Sequence, residues 1–195
     1  MQPETGPARV LFHLYLIASL PALRQKNRIT EDGGRFMKDL WYIDTCENRG
    51  VSLRFAKVVD GGLKRKIMAF CRWMRRNYVF PIKLKIFISD APYIVNSITG
   101  EKVSASIFLP YDKSSPLARV STGDYRKDIE EIDQFSADCN VLASIAHEVT
   151  HYYQWLRDDT AEPDERQAQR KAVRIVYQYL DDCPNAVVPG GASVR

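Results

Sequence analysis

The residues best equipped for chemistry in this chain run from His147 to His151 and read His-Glu-Val-Thr-His. On a helix, residues four apart lie one turn above each other on the same face, so the two imidazoles converge on one metal ion. Zinc suits that donor pair. It acidifies water toward neutrality but does not itself take the proton. Glu148, beside the first histidine, is placed to take it as a general base. The chain has three histidines, and only His13 lies outside the motif.

A five-residue match is tested by the helix around it. At 100° per residue, Val141, Leu142, Ile145, Val149, Tyr152 and Leu156 form one apolar stripe. His147 and His151 fall nearly opposite, beside Asn140 and Ser144, with Glu148 and Trp155 at the edge. This helix therefore turns an apolar face to a core and presents both histidines on the other side. Ser136 reads as its N-cap, and Asp158-Asp159-Thr160 reads as its end. A catalytic zinc site needs a third protein ligand and one open position. A second helix, from near Pro163 to about Asp181, carries the stripe Ala168, Ala172, Ile175, Val176 and Tyr179, with Glu165 on the same line one turn earlier. A carboxylate heading a core-facing stripe is costly unless it is paired or binds a metal. Glu165 is therefore the expected third ligand. Asp158, Asp159 and Glu162 compete with it, but none falls on that stripe as well.

The string His147-Glu-Val-Thr-His151-Tyr-Tyr-Gln154, followed by Glu165-Arg-Gln-Ala168, resembles small gluzincin-type zinc metallopeptidase domains, the minigluzincins. Motif-level similarity is confined to residues 147–168, while element order extends it over roughly 51–182. The resemblance implies an α+β, zincin-like fold with a small mixed sheet packed on an active-site helix and a ligand helix. It implies zinc bound by His147, His151 and Glu165, with Glu148 as catalytic base. It further implies an edge strand that holds extended peptide, here Val103 to Leu109. Domains of this kind can be latent, blocked by their own terminal segments, and related zincin domains act on DNA-associated proteins.

The supporting elements follow from patterning. Val51 to Val59 alternates weakly, as a strand does. Leu63, Ile67, Phe70, Cys71 and Met74 make one stripe of an amphipathic helix over 62–77 whose other faces are basic. Pro81 to Ile88 alternates apolar and basic, 97–100 is a turn, Val103 to Leu109 is a second strand, and 113–126 reads as loop. The expected organisation is an N-terminal extension over 1–50 packed on the domain, a metallopeptidase domain over 51–182, and a tail over 183–195.

Net charge is +4, from 28 basic and 24 acidic residues. Residues 54–85 hold ten basic side chains against one acid, Asp60, whereas 124–133 and 158–165 are net acidic. That asymmetry fits either internal complementarity or a partner surface. No stretch is long and apolar enough to span a membrane. Val10 to Leu20 is apolar but poor as a secretion signal, which favours a buried helix or strand and a cytoplasmic location over atypical secretion. Cys46, Cys71, Cys139 and Cys183 are too dispersed for a metal knot and read as reduced thiols.

Two functions compete. One is a zinc-dependent endopeptidase acting on a peptide or protein substrate, with Tyr125, Tyr177 or a basic residue as candidates for stabilising the oxyanion. The other is a zinc-containing regulatory or nucleic-acid-associated module working through the basic helix 62–77, although no nucleic-acid motif is present. Intact Glu148 favours the first, because a structural zinc site has no use for it.

Overall fold

A computed structural model of the chain describes residues 49–96, 100–157 and 164–186. Val10–Leu20, most of the 97–100 turn, Asp158, Asp159, Glu162, Pro163 and the tail beyond 186 lie outside the described residues. The elements form an α+β arrangement of four helices and two small sheets. In chain order they are β1 (Val51–Phe55), α1 (Gly61–Asn77), β2 (Leu84–Ser89), β3 (Ile94–Val95), β4 (Lys102–Val103), β5 (Ala105–Phe108), β6 (Leu117–Ser121), α2 (Tyr125–Glu131), α3 (Gln134–Arg157) and α4 (Glu165–Asp182).

The main sheet has the order β1-β2-β6-β5, with β1, β2 and β6 parallel and β5 antiparallel at one edge. Two residues per pleat put Leu84, Ile86 and Ile88 on the same face as Ala118 and Val120, and all five are buried. The core stripe of α1 and the apolar side of α3 join them in one hydrophobic cluster. β3 and β4 pair separately as a short antiparallel hairpin.

Several boundaries differ from the sequence expectation. Residues 113–126 are not a loop: they contain β6, a central strand of the sheet, and the start of α2. In the Leu-Ala-Arg-Val-Ser of β6 the two core-facing side chains are Val120 and the small Ala118, so its alternation is weak to the eye. Gly123 then closes the turn out of β6, where a Cβ would lie 2.4–2.6 Å from the backbone of Ala91 and Pro92. The first strand stops at Phe55, not Val59. The expected strand Val103 to Leu109 is split between β4 and β5 at Ser104. The N-cap of α3 is Asp133 instead of Ser136. Its carboxylate accepts from the Ser136 amide at 2.9 Å and from the Ser136 hydroxyl at 2.7 Å, so the serine is the capped residue. α4 begins at Glu165, with the Asp164 carboxylate accepting from Gln167 N at 2.8 Å.

Two polar ties hold the long helix against the rest. Tyr152 Oη donates to Ile82 O at 2.7 Å and accepts from Ile82 N at 3.1 Å, pinning α3 to the approach to β2. Tyr152→Phe strands both of those buried backbone groups. It should destabilise the fold by about 1–3 kcal/mol in a denaturant titration, while a loss below about 0.5 kcal/mol would mean water replaces the hydroxyl. At the other end, fully buried Asp138 accepts from Tyr125 Oη at 2.6 Å and Gln134 Nε2 at 3.2 Å, and pairs with Lys66 of α1. One of the ten clustered cations is thus spent on internal complementarity with α3.

Cys71 and Cys139 are buried and unpaired, and burial pushes both thiols up to about 12. Cys183 is half-buried and also unpaired. Among the described residues no helix is long and apolar enough to cross a membrane.

Candidate metal centre

α3 is buried over most of its circumference, and its open strip is the one the helical wheel marks. Asn140, Ser144, His147 and Gln154 are half-exposed along it, while the six stripe residues are buried except half-buried Leu156. α4 packs alongside through Ala168, Ala172 and Val176, all essentially inaccessible. Small side chains at 168 and 172 let the two helices approach closely, and that approach carries the N-terminus of α4 to the two histidines.

There the ligand atoms meet. His147 Nε2 and His151 Nε2 are 2.9 Å apart. Glu165 places Oε2 3.2 Å from His147 Nε2 and Oε1 3.4 Å from His151 Nε2. Among the described residues, this is the group whose donor atoms all lie within 4.8 Å of one another in a pattern able to hold a metal ion. A tetrahedral zinc with bonds of about 2.0–2.1 Å holds its ligand atoms about 3.3 Å apart. The three separations straddle that value, so the residues fit the ion with shifts of a few tenths of an ångström.

Gln154 decides the chemistry of His151. Its Nε2 donates to Asp164 O at 3.0 Å, an atom that can only accept, so its Oε1 is the atom facing His151 Nδ1 at 2.9 Å. Nδ1 must therefore carry a hydrogen, and in the neutral ring Nε2 is a bare lone pair aimed at His147 and Glu165. A bare lone pair facing a carboxylate requires a cation or a proton between them. Burial works against protonating His151. The Glu165 hydrogen bond, the Glu148 charge and Gln154 outweigh it and raise the imidazole above its ordinary value. A hydrogen bond from His147, and one from His151 when its ring is protonated, hold the Glu165 carboxyl well below the usual carboxylate range, against a smaller desolvation effect. His147 Nδ1 is buried without a partner among the described residues. Gln154 appears in the motif string three residues after His151, one turn away on the same strip, but that spacing does not by itself assign the orienting role, which depends on the Asp164 carbonyl.

Glu148 is 4% exposed. Burial, opposed by the His151 charge and reinforced by that of Glu165, pushes its carboxyl up to about 8. A carboxyl that gains and loses its proton near neutrality is suited to proton transfer. Glu165 departs from expectation in one respect. Its side chain is 71% exposed, so it sits at the mouth of the site and not within the helix interface. The stripe geometry brought it to the histidines, and its desolvation is small beside the hydrogen bonds that hold it.

Neither tyrosine considered for the oxyanion is near. Tyr125 is engaged with Asp138, nine residues and about 13 Å before His147 along α3. Tyr177 lies twelve residues and about 18 Å beyond Glu165 along α4, beside Cys139. The basic helix is also less free than its composition implies. Trp73, its one aromatic suited to base stacking, is 3% exposed and donates Nε1 to Asp182 at 2.9 Å.

No protein-family model, curated protein or solved structure matches the chain.

Proposed function

We propose that this chain is a zinc-dependent metallopeptidase with a zincin-like fold, in which His147, His151 and Glu165 hold the metal and Glu148 is the general base. The observation that carries the reading is the convergence of three ligand atoms beside a buried carboxyl on the same helix turn. The resemblance of 147–154 and 165–168 to minigluzincins supports it independently. Zinc, when bound, supplies a Lewis acid that acidifies water and polarises a substrate carbonyl.

The chain's own groups supply the rest. Gln154 fixes the His151 ring so that Nε2 faces the metal position, as an outer partner of a metal-binding histidine commonly does. Glu148 takes the proton from the attacking water and passes it to the departing amine, which avoids expelling an unprotonated amide anion. β5, an edge strand of the sheet among the described residues and packed against α3, would offer its outer backbone groups to an extended peptide. The reading of the chain as a binding module through helix α1 loses its stacking residue to the core.

Glu165→Gln tests the ligand assignment. A neutral amide of the same size is a poor zinc ligand, and because the side chain is exposed the fold should be untouched. Zinc affinity by competition with a chelating dye should fall by about 100-fold or more, above the effect usual for outer-shell partners. Glu162→Gln should leave it unchanged. The reverse outcome would transfer the ligand role to Glu162.

A further inference from the structure

We propose that the face of the main sheet turned away from the helices binds single-stranded nucleic acid. Strand pairing places its side chains in two rows across the sheet. Arg54 lies beside Phe87, Phe87 beside Arg119, and Arg119 beside Ser106. In the next row Ser52, Lys85, Leu117 and Phe108 stand side by side in the same order of strands. Strands lie about 4.8 Å apart, so Arg54 and Arg119 flank the Phe87 ring at about 10 Å from each other, and Lys85 sits about 7 Å from Phe87 along the same strand.

Phe87, Phe108 and Leu117 do not pack against the core, and Phe108 is 68% exposed. No aspartate or glutamate occurs in any of the four strands. Among the described residues no carboxylate holds Arg54, Lys85 or Arg119.

Charge distribution selects the occupant. A protein partner favours an interface with an apolar centre and charges at the rim. Here Lys85 and Arg119 stand on β2 and β6, the two central strands, with aromatic rings between and beside them. That is the opposite layout, and it matches what a nucleic-acid strand needs: cations for phosphates and ring faces for unstacked bases. A duplex uses the cations but hides its bases from the rings. Residues 1–48 carry six acidic and six basic side chains, so they offer no excess of negative charge for this face. The metal centre is on α3, across the core from these rows, and the surface is independent of the peptidase reading.

The test is fluorescence anisotropy of the full chain with a labelled oligothymidine of about 20 nucleotides. Three phosphate contacts predict a salt slope of about −2, so wild-type affinity should fall roughly 15–20-fold from about 50 to 200 mM salt. Replacing Arg54, Lys85 and Arg119 together by glutamine should weaken low-salt binding by a comparable factor and nearly flatten the slope. Phe87→Leu with Phe108→Leu keeps apolar volume, removes the rings, and should weaken binding by about tenfold. Arg72, Arg75 and Arg76 of α1 changed together to glutamine should have no effect. Circular dichroism establishes that each variant is folded. The proposal is overturned if wild type does not bind at low salt, if the α1 changes cause the loss, or if folded sheet-face variants bind as wild type does.

Discussion

Changing His147 and His151 together to alanine should take the purified chain from about one zinc per molecule to none. The expectation rests on the two Nε2 atoms 2.9 Å apart, which only a cation or a proton reconciles. Losing both leaves exposed Glu165 alone, and one carboxylate does not hold zinc against solvent. The effect extends to stability, because a metal that binds only the folded chain stabilises it by mass action. Free zinc at about a thousand times its dissociation constant adds about 4 kcal/mol. For a chain of this size that is on the order of 10 °C in melting temperature. Wild type should show that rise on adding zinc and lose it to a chelator, while the double variant should show neither. An equal zinc-dependent rise in the variant would place the metal elsewhere.

Glu148→Gln should separate binding from chemistry. Zinc content should be unchanged, while hydrolysis of a peptide library falls by about 10²–10⁴-fold, the usual consequence of removing a general base. The same substitution should not destabilise the protein and should leave it slightly more stable. Burying an ionisable carboxyl is costly, and the amide removes the charge without changing shape. A residue retained at a cost to stability is better explained by function than by packing. Unchanged cleavage would show that the base is another group. A large loss of stability would show Glu148 to be structural.

What the sequence displayed plainly was whatever a single helix displays. The i, i+4 histidines and the three apolar stripes are periodic over many residues, and α3, α4 and α1 follow them closely. Glu165 was legible because its stripe fixes which side of α4 meets α3. Less was legible where position depends on pairing between distant strands. β6 carries only two core-facing side chains, one of them alanine, and its place in the middle of the sheet comes from β2 and β5, not from local pattern. The cations of residues 54–85 illustrate the same limit. As a string they belong mainly to one helix, yet Arg54 and Lys85 share a sheet face with Arg119, more than thirty residues further on, and Lys66 is drawn inward to Asp138. The orienting role of Gln154 was also hidden, because it depends on the Asp164 carbonyl at the start of the next helix.

The most direct test of the peptidase assignment is the crystal structure of the full chain loaded with zinc. It should show His147 Nε2, His151 Nε2 and a Glu165 oxygen at about 2.0–2.2 Å from the ion, no fourth protein ligand, and Glu148 facing the open position without touching the metal. A closed site would contradict the account, whether the fourth ligand were Cys46 or another side chain, as would zinc bound without Glu165.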